Sequence, residues 1–254
     1  MSLRLNVGNH IQLFHFKEAN MFDSSEFEKN LGCTFKNKAL LKLAFTHTTY
    51  VFEHKLGHYD SNQRLEFIGD AVIDLIIGRK LYELKPQADE GYLSKTRSLV
   101  VCEKSFAAVA RTLNMGDMLL LGKGEDMSGG RDKDSTLADA FESVIAAVYF
   151  DQGFAKAEEV VLRILDSTIK DAIDGKIILD YKSKLLEIAQ TKNKQHAITF
   201  HVVNETGPAH AREFEVEVIA DGEISLAIAK GKSKKDAEQN CAREAIQKYH
   251  EVFG

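Results

Sequence analysis

SNQRLEFIGDAVIDLIIG, residues 61–78, is the stretch that decides how the first part of this chain folds. On a helix at about 100° per residue, its apolar side chains form one stripe, and Glu66 and Asp70 fall one turn apart beside it. The stripe consists of Leu65, Ile68, Val72, Leu75 and Ile76, with Ile73 and Ile77 next to the acidic sector. A helix this apolar is predicted to be buried. Two like charges about 5–6 Å apart on a buried helix need protons, partners or a cation.

A second acidic pair occurs in LADAFESVIAAVYF, residues 137–150. Asp139 and Glu142 are three residues apart, which places them on one face of a helix that is otherwise largely apolar. Each pair alone is more typical of a solvated helix face, paired for example with Arg64 or a lysine. Brought together, the two pairs make the oxygen-rich surrounding that Mg²⁺ or Mn²⁺ prefers. Two such pairs on two apolar helices therefore favour a divalent-metal site.

Composition limits the class of protein. With 254 residues, 44% of them hydrophobic, the chain can form one sizeable domain or one medium and one small domain. Cys33, Cys102 and Cys241 lie far apart, which favours neither a disulfide framework nor a sulfur-ligated zinc site. No apolar run approaches 18 residues and the N-terminus lacks an export signal, so we expect no membrane span and a reduced, cytoplasmic setting. The histidines, His201 among them, suggest no ligand set.

The periodicity of the chain changes near residue 180. From residue 27 to about 170, apolar residues recur at helical spacing, which predicts an all-α bundle. Afterwards a helical run, three alternating runs and a second helical run predict a small α+β domain in the order α-β-β-β-α. We expect an N-terminal extension at 1–22, the helical domain at 23–171, a linker at 172–179 and the small domain at 180–250.

Lysines cluster where the last helix is predicted to begin. GKSKKDAEQ places Lys232, Lys234 and Lys235 at that helix start, close behind Lys230. The helix dipole disfavours cations at a helix N-terminus. Exposed backbone N–H groups and lysine ammonium groups together favour the binding of a phosphate there. An anionic partner is therefore expected, although lysine runs also serve as solubilising surfaces. The net charge of −5 argues mildly against attraction of the whole molecule to nucleic acid, but local clusters matter more.

Four motifs in the helical part resemble the ribonuclease III family. QRLEFIGDAVIDL resembles the signature helix, and LADAFESVIAAVYFDQG resembles the second acidic helix; DEGYLSKTRSLVV and MLLLGKGEDMSGGRDKDS are similar to the connecting segments. The resemblance covers most of residues 27–165. It implies that the catalytic metal ligands are Glu66, Asp70, Asp139 and Glu142. It also implies a homodimer, with Phe67 as a contact to the partner.

The chain departs from the family pattern at one acidic position. Gln63 stands where the family usually has Glu, and an amide cannot supply a full negative charge to a metal or a water. Because the four central acids remain, activity is expected to survive with an altered metal preference or rate. Glu90, in DEGYLS, matches a further acidic position near the cleavage valley, and is equally well explained as a first-turn acid favoured by the helix dipole.

The small domain resembles the double-stranded RNA-binding domain. The element order, GPAH at 207–210 and KGKSKKDAEQ before the last helix carry the resemblance, while His196 occupies a region where that family often has Pro. Such domains read two minor grooves and the phosphates between them over about 16 base pairs. By position, the implied RNA contacts are Glu187, Gln190, Pro208, Ala209, His210, Lys232, Lys234 and Lys235.

The two resemblances together imply an endoribonuclease that cuts both strands of duplex RNA with Mg²⁺, or Mn²⁺ in its place, as cofactor. The expected products carry 5′-phosphate and 3′-hydroxyl ends with short 3′ overhangs, and the expected substrates are ribosomal and other structured RNAs. One alternative is a non-catalytic ribonucleoprotein component, which the intact set of four acids disfavours. The other is a hydrolase of another phosphodiester, which the attached RNA-binding domain disfavours.

Overall fold

The chain divides into two compact units, and the boundary between them in the sequence lies between Lys176 and Ile177. The structure, a computed structural model, describes residues 23–57, 59–190, 195–208 and 212–254, so the predicted extension at 1–22 lies outside the described residues. In those ranges the first unit is helical and the second combines a sheet with two helices, which confirms the predicted fold class. The exact domain limits stay a prediction; the helix Asp166–Ile173 runs across the expected limit at residue 171.

The described part of the first unit contains eleven α-helices and a short 3₁₀ helix, Gly130–Asp132. The helical pattern over 90–113 forms two helices, because Val101 and Cys102 leave the helical region of backbone space. The helices are α1 Ser25–Leu31, α2 Lys38–Ala44, α3 Thr48–Glu53, α4 Gln63–Leu84, α5 Glu90–Val100, α6 Glu103–Thr112, α7 Met115–Met118, α8 Lys123–Met127, α9 Asp134–Gln152, α10 Phe154–Ile164 and α11 Asp166–Ile173.

Helices α4 and α9 pack against each other at the centre of this unit. The predicted stripe of α4 is buried at Leu65, Val72 and Ile76, and α9 is buried along almost its whole length. The two backbones touch at Gly69, since a Cβ atom placed there would lie 1.9 Å from the carbonyl oxygen of Glu142. Only glycine permits this approach, which brings the two acidic helices together.

One face of α4 is not buried, which corrects the expectation of a fully enclosed helix. Leu75, assigned to the buried stripe, is 60% exposed, and Phe67 and Tyr82 are 75% and 71% exposed. Asp70 is also exposed. An apolar pattern indicates that a helix face avoids water. It does not show whether that face packs in the core of this unit or binds another molecule.

The second unit is a three-stranded antiparallel sheet in the order β1-β2-β3, packed against two helices. Alternate residues of the central strand, Val216, Val218 and Ala220, are fully buried and face the helices. The elements are α12 Tyr181–Ala189, β1 Ile198–Thr206, β2 Glu213–Ala220, β3 Ile224–Gly231 and α13 Lys234–Phe253. In neither unit do the described residues include a helix of the length and apolar character that crossing a membrane requires.

Candidate active site

The four predicted acids line one cavity in the helical unit. It has a volume of about 430 Å³ and lies where α4 and α9 cross, with α6 forming another wall. Glu66 and Asp70 come from α4, and Asp139 and Glu142 come from α9. The cavity is lined by Glu66, Phe67, Asp70, Val101, Glu103, Phe106, Ala138, Asp139 and Glu142. The structure therefore brings together two acid pairs that are far apart in the sequence.

Three of these carboxylates are close enough to share one cation. One oxygen each of Glu66, Asp139 and Glu142 lies within 4.8 Å of the others, and all three side chains are partly buried. Asp70 is more exposed but lines the same cavity. Among the described residues, none of the four forms an ion pair with a lysine or arginine. Arg64, the basic neighbour considered from the sequence, lies instead over the ring of Tyr59, 5.6 Å from its centroid.

The pKa values of the acids reflect this uncompensated charge. Burial, followed by the charges of neighbouring acids with Asp70 foremost, raises the pKa of Glu142 from 4.5 to about 8. Burial is also the main cause of the raised pKa of Glu66, and the charges of Asp139 and Asp70 add to it. The pKa of Asp139 is raised by burial and further by Glu103. A divalent cation would reverse these shifts, and carboxylate oxygens in this number suit one.

Buried hydrogen bonds hold the start of α4 against α9. The carbonyl of Asn62 accepts hydrogen bonds from the Glu66 backbone N–H at 2.9 Å and from the hydroxyl of Ser143 at 3.2 Å. The Asn62 N–H in turn donates to the carbonyl of Thr46 at 2.8 Å. Asn62, Ser143 and Thr46 are all buried. Because Glu66 and Ser143 lie in the same network, the network fixes the spacing between the two acid pairs.

Two residues near the cavity escaped the sequence analysis. Glu103, the first residue of α6, lines the cavity, and only the packing of α6 against α9 reveals it. His47 precedes α3, and its charge and that of Asp139 shift each other's pKa. The sequence AFTHTTY shows that His47 stands before a helix but gives no signal that Asp139 is close.

Other predicted residues lie outside the acidic cavity. Gln63 lines a separate cavity of about 770 Å³ with residues of α3 and α8. Glu90 accepts a hydrogen bond from the hydroxyl of Ser94 at 2.7 Å and does not line the acidic cavity. Phe67 does line it and is largely exposed. In this unit the structure thus joins the four acids and Phe67, and leaves Gln63 and Glu90 apart from them.

The lysine cluster lies at the N-terminus of α13, as predicted. Lys232, Lys234 and Lys235 are exposed, and within the described ranges they have no ion-pair partner. Ser233 caps the helix by accepting the N–H of Asp236 at 3.1 Å, and the carboxylate of Asp236 accepts the N–H of Lys232 at 2.9 Å. The backbone is therefore ordered while the ammonium groups remain available to an anion.

The remaining predicted RNA contacts are only partly described. Glu187 lies on α12 and pairs with Lys184 at 3.5 Å, Gln190 ends that helix, and Pro208 follows β1; all three predicted residues are exposed. Ala209 and His210 lie outside the described residues.

Comparison with known proteins supports the predicted family of each of the two units. Residues 37–168 match the family model described as ribonuclease-III-like, and residues 181–249 match the double-stranded RNA binding motif. Ribonuclease 3 of Bacillus velezensis is 42% identical over 244 residues, covering 93% of this chain and 97% of its own length. Ribonuclease 3 of Halalkalibacterium halodurans is 44% identical over 233 residues, covering 91% and 86%. The chain belongs to the ribonuclease III family.

The family assignment agrees with a solved structure. The nuclease domain of ribonuclease III from Campylobacter jejuni is 39% identical, with a TM-score of 0.54, and the match covers 57% of this chain and 98% of that domain. In the Campylobacter protein, a region involved in dimer formation is structurally flexible. As a member of this family, the protein is an endoribonuclease that cleaves double-stranded RNA. Its family depends on divalent metal, and its acidic cluster is able to bind one.

Proposed function

We propose that Glu66, Asp70, Asp139 and Glu142 are the metal ligands of the nuclease centre, with Mg²⁺ as the cofactor and Mn²⁺ as a substitute. The observation that carries this proposal is the convergence of three partly buried carboxylates within 4.8 Å, with no ion pair to a lysine or arginine among the described residues. Oxygen ligands alone suit Mg²⁺ and Mn²⁺ rather than metals that prefer sulfur or imidazole.

The protein's own groups set the protonation and the position of the acids in the centre. A bound divalent cation supplies activation of water and stabilisation of the charge that develops on the phosphodiester. Glu142 is protonated over much of the neutral range without a cation, because its pKa is raised to about 8, so loading requires that it lose its proton. The Asn62 and Ser143 hydrogen bonds keep Glu66 and Glu142 in place while this charge changes. Asp70 is the most exposed of the four acids.

We assign RNA recognition to the second unit. Exposed Lys232, Lys234 and Lys235 bind backbone phosphates at a helix N-terminus. By position in the motif, the two minor grooves are met by Glu187 and Gln190 on one side and by Pro208, Ala209 and His210 on the other. The family match to residues 181–249 supports this assignment.

The active enzyme is proposed to be a homodimer. The exposed apolar face of α4, with Phe67, Leu75 and Tyr82, provides a surface that a second copy would cover, and Phe67 borders the acidic cavity. Each of the two centres would cut one strand, leaving 5′-phosphate and 3′-hydroxyl ends with short 3′ overhangs. Gln63 and Glu90 then act at the margin of the cleavage valley rather than as ligands.

The cellular role proposed is processing of ribosomal and other structured RNA in the cytoplasm. The family supports this role, and the free thiols of Cys33, Cys102 and Cys241 agree with a reducing compartment.

A gel of a long RNA duplex incubated with and without Mg²⁺ tests the proposal. Discrete short duplex products that appear only with the metal would support a metal-dependent nuclease, and Mn²⁺ should replace Mg²⁺. Duplex that is bound but stays intact with either metal would identify a non-catalytic binder and overturn the proposal. End-labelling of the products checks the predicted 5′-phosphate and 3′-hydroxyl ends.

A further inference from the structure

Gln239, in the second turn of α13, connects the two helices of the second unit. Its side-chain oxygen accepts the backbone N–H of Tyr181 at 2.7 Å, and its amide nitrogen donates to the carboxylate of Asp180 at 2.8 Å. Asp180 is the N-cap of α12, and the same carboxylate oxygen accepts the N–H of Ser183 at 3.0 Å. One amide group on α13 therefore binds both the cap and a free backbone N–H at the start of α12.

The electrostatics around Gln239 strengthen this connection. Hydrogen bonds from Gln239 and then from Ser183 lower the pKa of Asp180 from 3.8 to about 2, so the carboxylate is ionised at neutral pH. A charged acceptor forms stronger hydrogen bonds than a neutral one. Beside it, the ammonium group of Lys182 donates to the largely buried carboxylate of Glu238 at 2.7 Å. Neighbouring polar side chains of α13 thus hold the first turn of α12.

The apolar contact between α12 and α13 is less directional. Leu185 and Ala189 of α12 share a buried core with Ala237 and Ala242 of α13. Hydrophobic contacts have no preferred direction, and small side chains form low ridges that do little to resist sliding. Hydrogen bonds, in contrast, weaken steeply when their distance or angle changes. The two hydrogen bonds of Gln239 therefore fix the position of α12 along α13.

The two helices carry different parts of the proposed RNA surface. Glu187 and Gln190 are exposed at the C-terminal end of α12, and exposed Lys234 and Lys235 begin α13. The minor groove of an A-form duplex and the phosphates beside it lie at a fixed separation. Both sets of residues can contact one duplex only if α12 and α13 keep a matching separation.

We propose that Gln239 is a positioning residue for RNA recognition, which holds α12 at the distance from the lysines of α13 that duplex RNA requires. The inference rests on the proposed function, which assigns RNA recognition to this unit. Gln239 is partly buried, and its amide group is already bonded to Asp180 and Tyr181. Its loss should therefore weaken the minor-groove contacts, which read 2′-hydroxyls, and leave the phosphate contacts of the lysines.

Replacement of Gln239 by alanine tests this role. Q239A removes both hydrogen bonds, and Q247A is the matched control, because Gln247 is exposed on the same helix and donates to Glu251 one turn later. Titrations without divalent cation compare duplex RNA with duplex DNA of the corresponding sequence, well below the Tm of each variant. We expect Q239A to lower RNA affinity on the order of 10-fold, as for lost hydrogen bonds, and DNA affinity little, with an unchanged salt dependence. Q247A should match wild type.

An exchange of the two polar groups separates positioning from loss of folding. Q239E sets a second carboxylate against that of Asp180 and should lose the preference for RNA. In D180N/Q239E the new amide can donate to the new carboxylate, which still accepts the Tyr181 N–H, and Asn remains a favoured N-cap. The preference for RNA should therefore return in the double variant.

Three results would overturn the inference alone. They are a wild-type preference for RNA in Q239A, a loss by the same factor for RNA and DNA, and a double variant no better than Q239E. Equal losses are expected of a variant that is merely less folded. A wild-type protein that binds the two duplexes equally well would instead overturn the assignment of RNA recognition to this unit.

Discussion

The acidic cavity and the lysine cluster each bring charges of one sign together, but the acids are partly buried and the lysines are exposed. In the cavity, carboxylates from two helices are partly buried within 4.8 Å of each other, and the pKa of Glu142 rises to about 8. At the start of α13, the ammonium groups of Lys232, Lys234 and Lys235 are exposed to solvent. Burial makes like charges interact strongly, whereas water screens exposed ones. The cavity is therefore suited to a bound ion in fixed geometry, and the lysines to a polyanion held loosely.

This difference predicts how each region responds to change. The cavity should depend sharply on backbone position, on pH and on the metal, because its charges are close and desolvated. The lysine cluster should respond mainly to ionic strength, because each exposed lysine contributes one phosphate contact.

The largest expected effect is that of G69A. A Cβ at this position would lie 1.9 Å from the Glu142 carbonyl oxygen and must force α4 and α9 apart. We expect a loss of stability on the order of 3 kcal/mol, as for severe overpacking, together with loss of cleavage. Urea unfolding and the duplex cleavage assay measure both.

The control for G69A is G78A on the same helix. A Cβ at residue 78 would meet only the Arg97 side chain, at 3.7 Å, so the substitution should be neutral or slightly stabilising. If G69A were as stable and active as G78A, the close approach of the two helices would not matter.

The next effect concerns pH in the protein stripped of metal. Glu142 has a folded pKa of about 8 against an ordinary value of 4.5, so between these values the native state binds more protons than the unfolded state. Stability must then fall as pH rises through this window, and the raised pKa values of Glu66 and Asp139 act in the same direction.

Thermal unfolding in a chelator from about pH 5 to about pH 8 measures this slope. Added Mg²⁺ should raise Tm most at the alkaline end, where the acids release their protons to bind it. E142Q should flatten the slope. A Tm that rises with pH in the chelator would show that the acids are not destabilised by their proximity.

A smaller effect is expected at the lysine cluster. Replacing Lys234 and Lys235 together by Ala should remove two phosphate contacts and flatten the dependence of log K on log salt by roughly two units. Cleavage at low salt and high enzyme concentration should persist, because the acidic cavity is unaltered. Duplex titrations at several salt concentrations provide the test, and an unchanged slope would assign these lysines to a solvated surface.

The smallest effect is expected from Q63E. Gln63 lies three residues before Glu66 on α4 and lines a separate cavity, so a carboxylate there should chiefly alter the metal concentration needed for cleavage. Titrations with Mg²⁺ and Mn²⁺ compare the two forms. A wild-type protein that is inactive until this residue is changed would show that the missing acid is essential.

Features that depend on the local residue pattern could be predicted from the sequence. Features that depend on packing between distant segments could not. Helical periodicity identified α4 and α9, and alternation identified the three strands, because each element shows its buried face in its own residues. The contact between Gly69 and Glu142 and the position of Glu103 beside the acids arise from segments distant in the chain. Leu75 was misassigned because an exposed apolar face and a core face share the same apolar pattern.

The most direct test of the central claim, that the four acids form the metal centre, is a Mg²⁺ titration of single-turnover duplex cleavage by wild type and E142Q. E142Q keeps the size of the side chain and removes one charge, and E26Q, at an exposed position of α1, is the control. We predict that E142Q binds the duplex nearly as well as wild type and does not cleave it at any Mg²⁺ concentration, while E26Q behaves as wild type. Cleavage by E142Q at the wild-type rate in saturating Mg²⁺ would contradict the account.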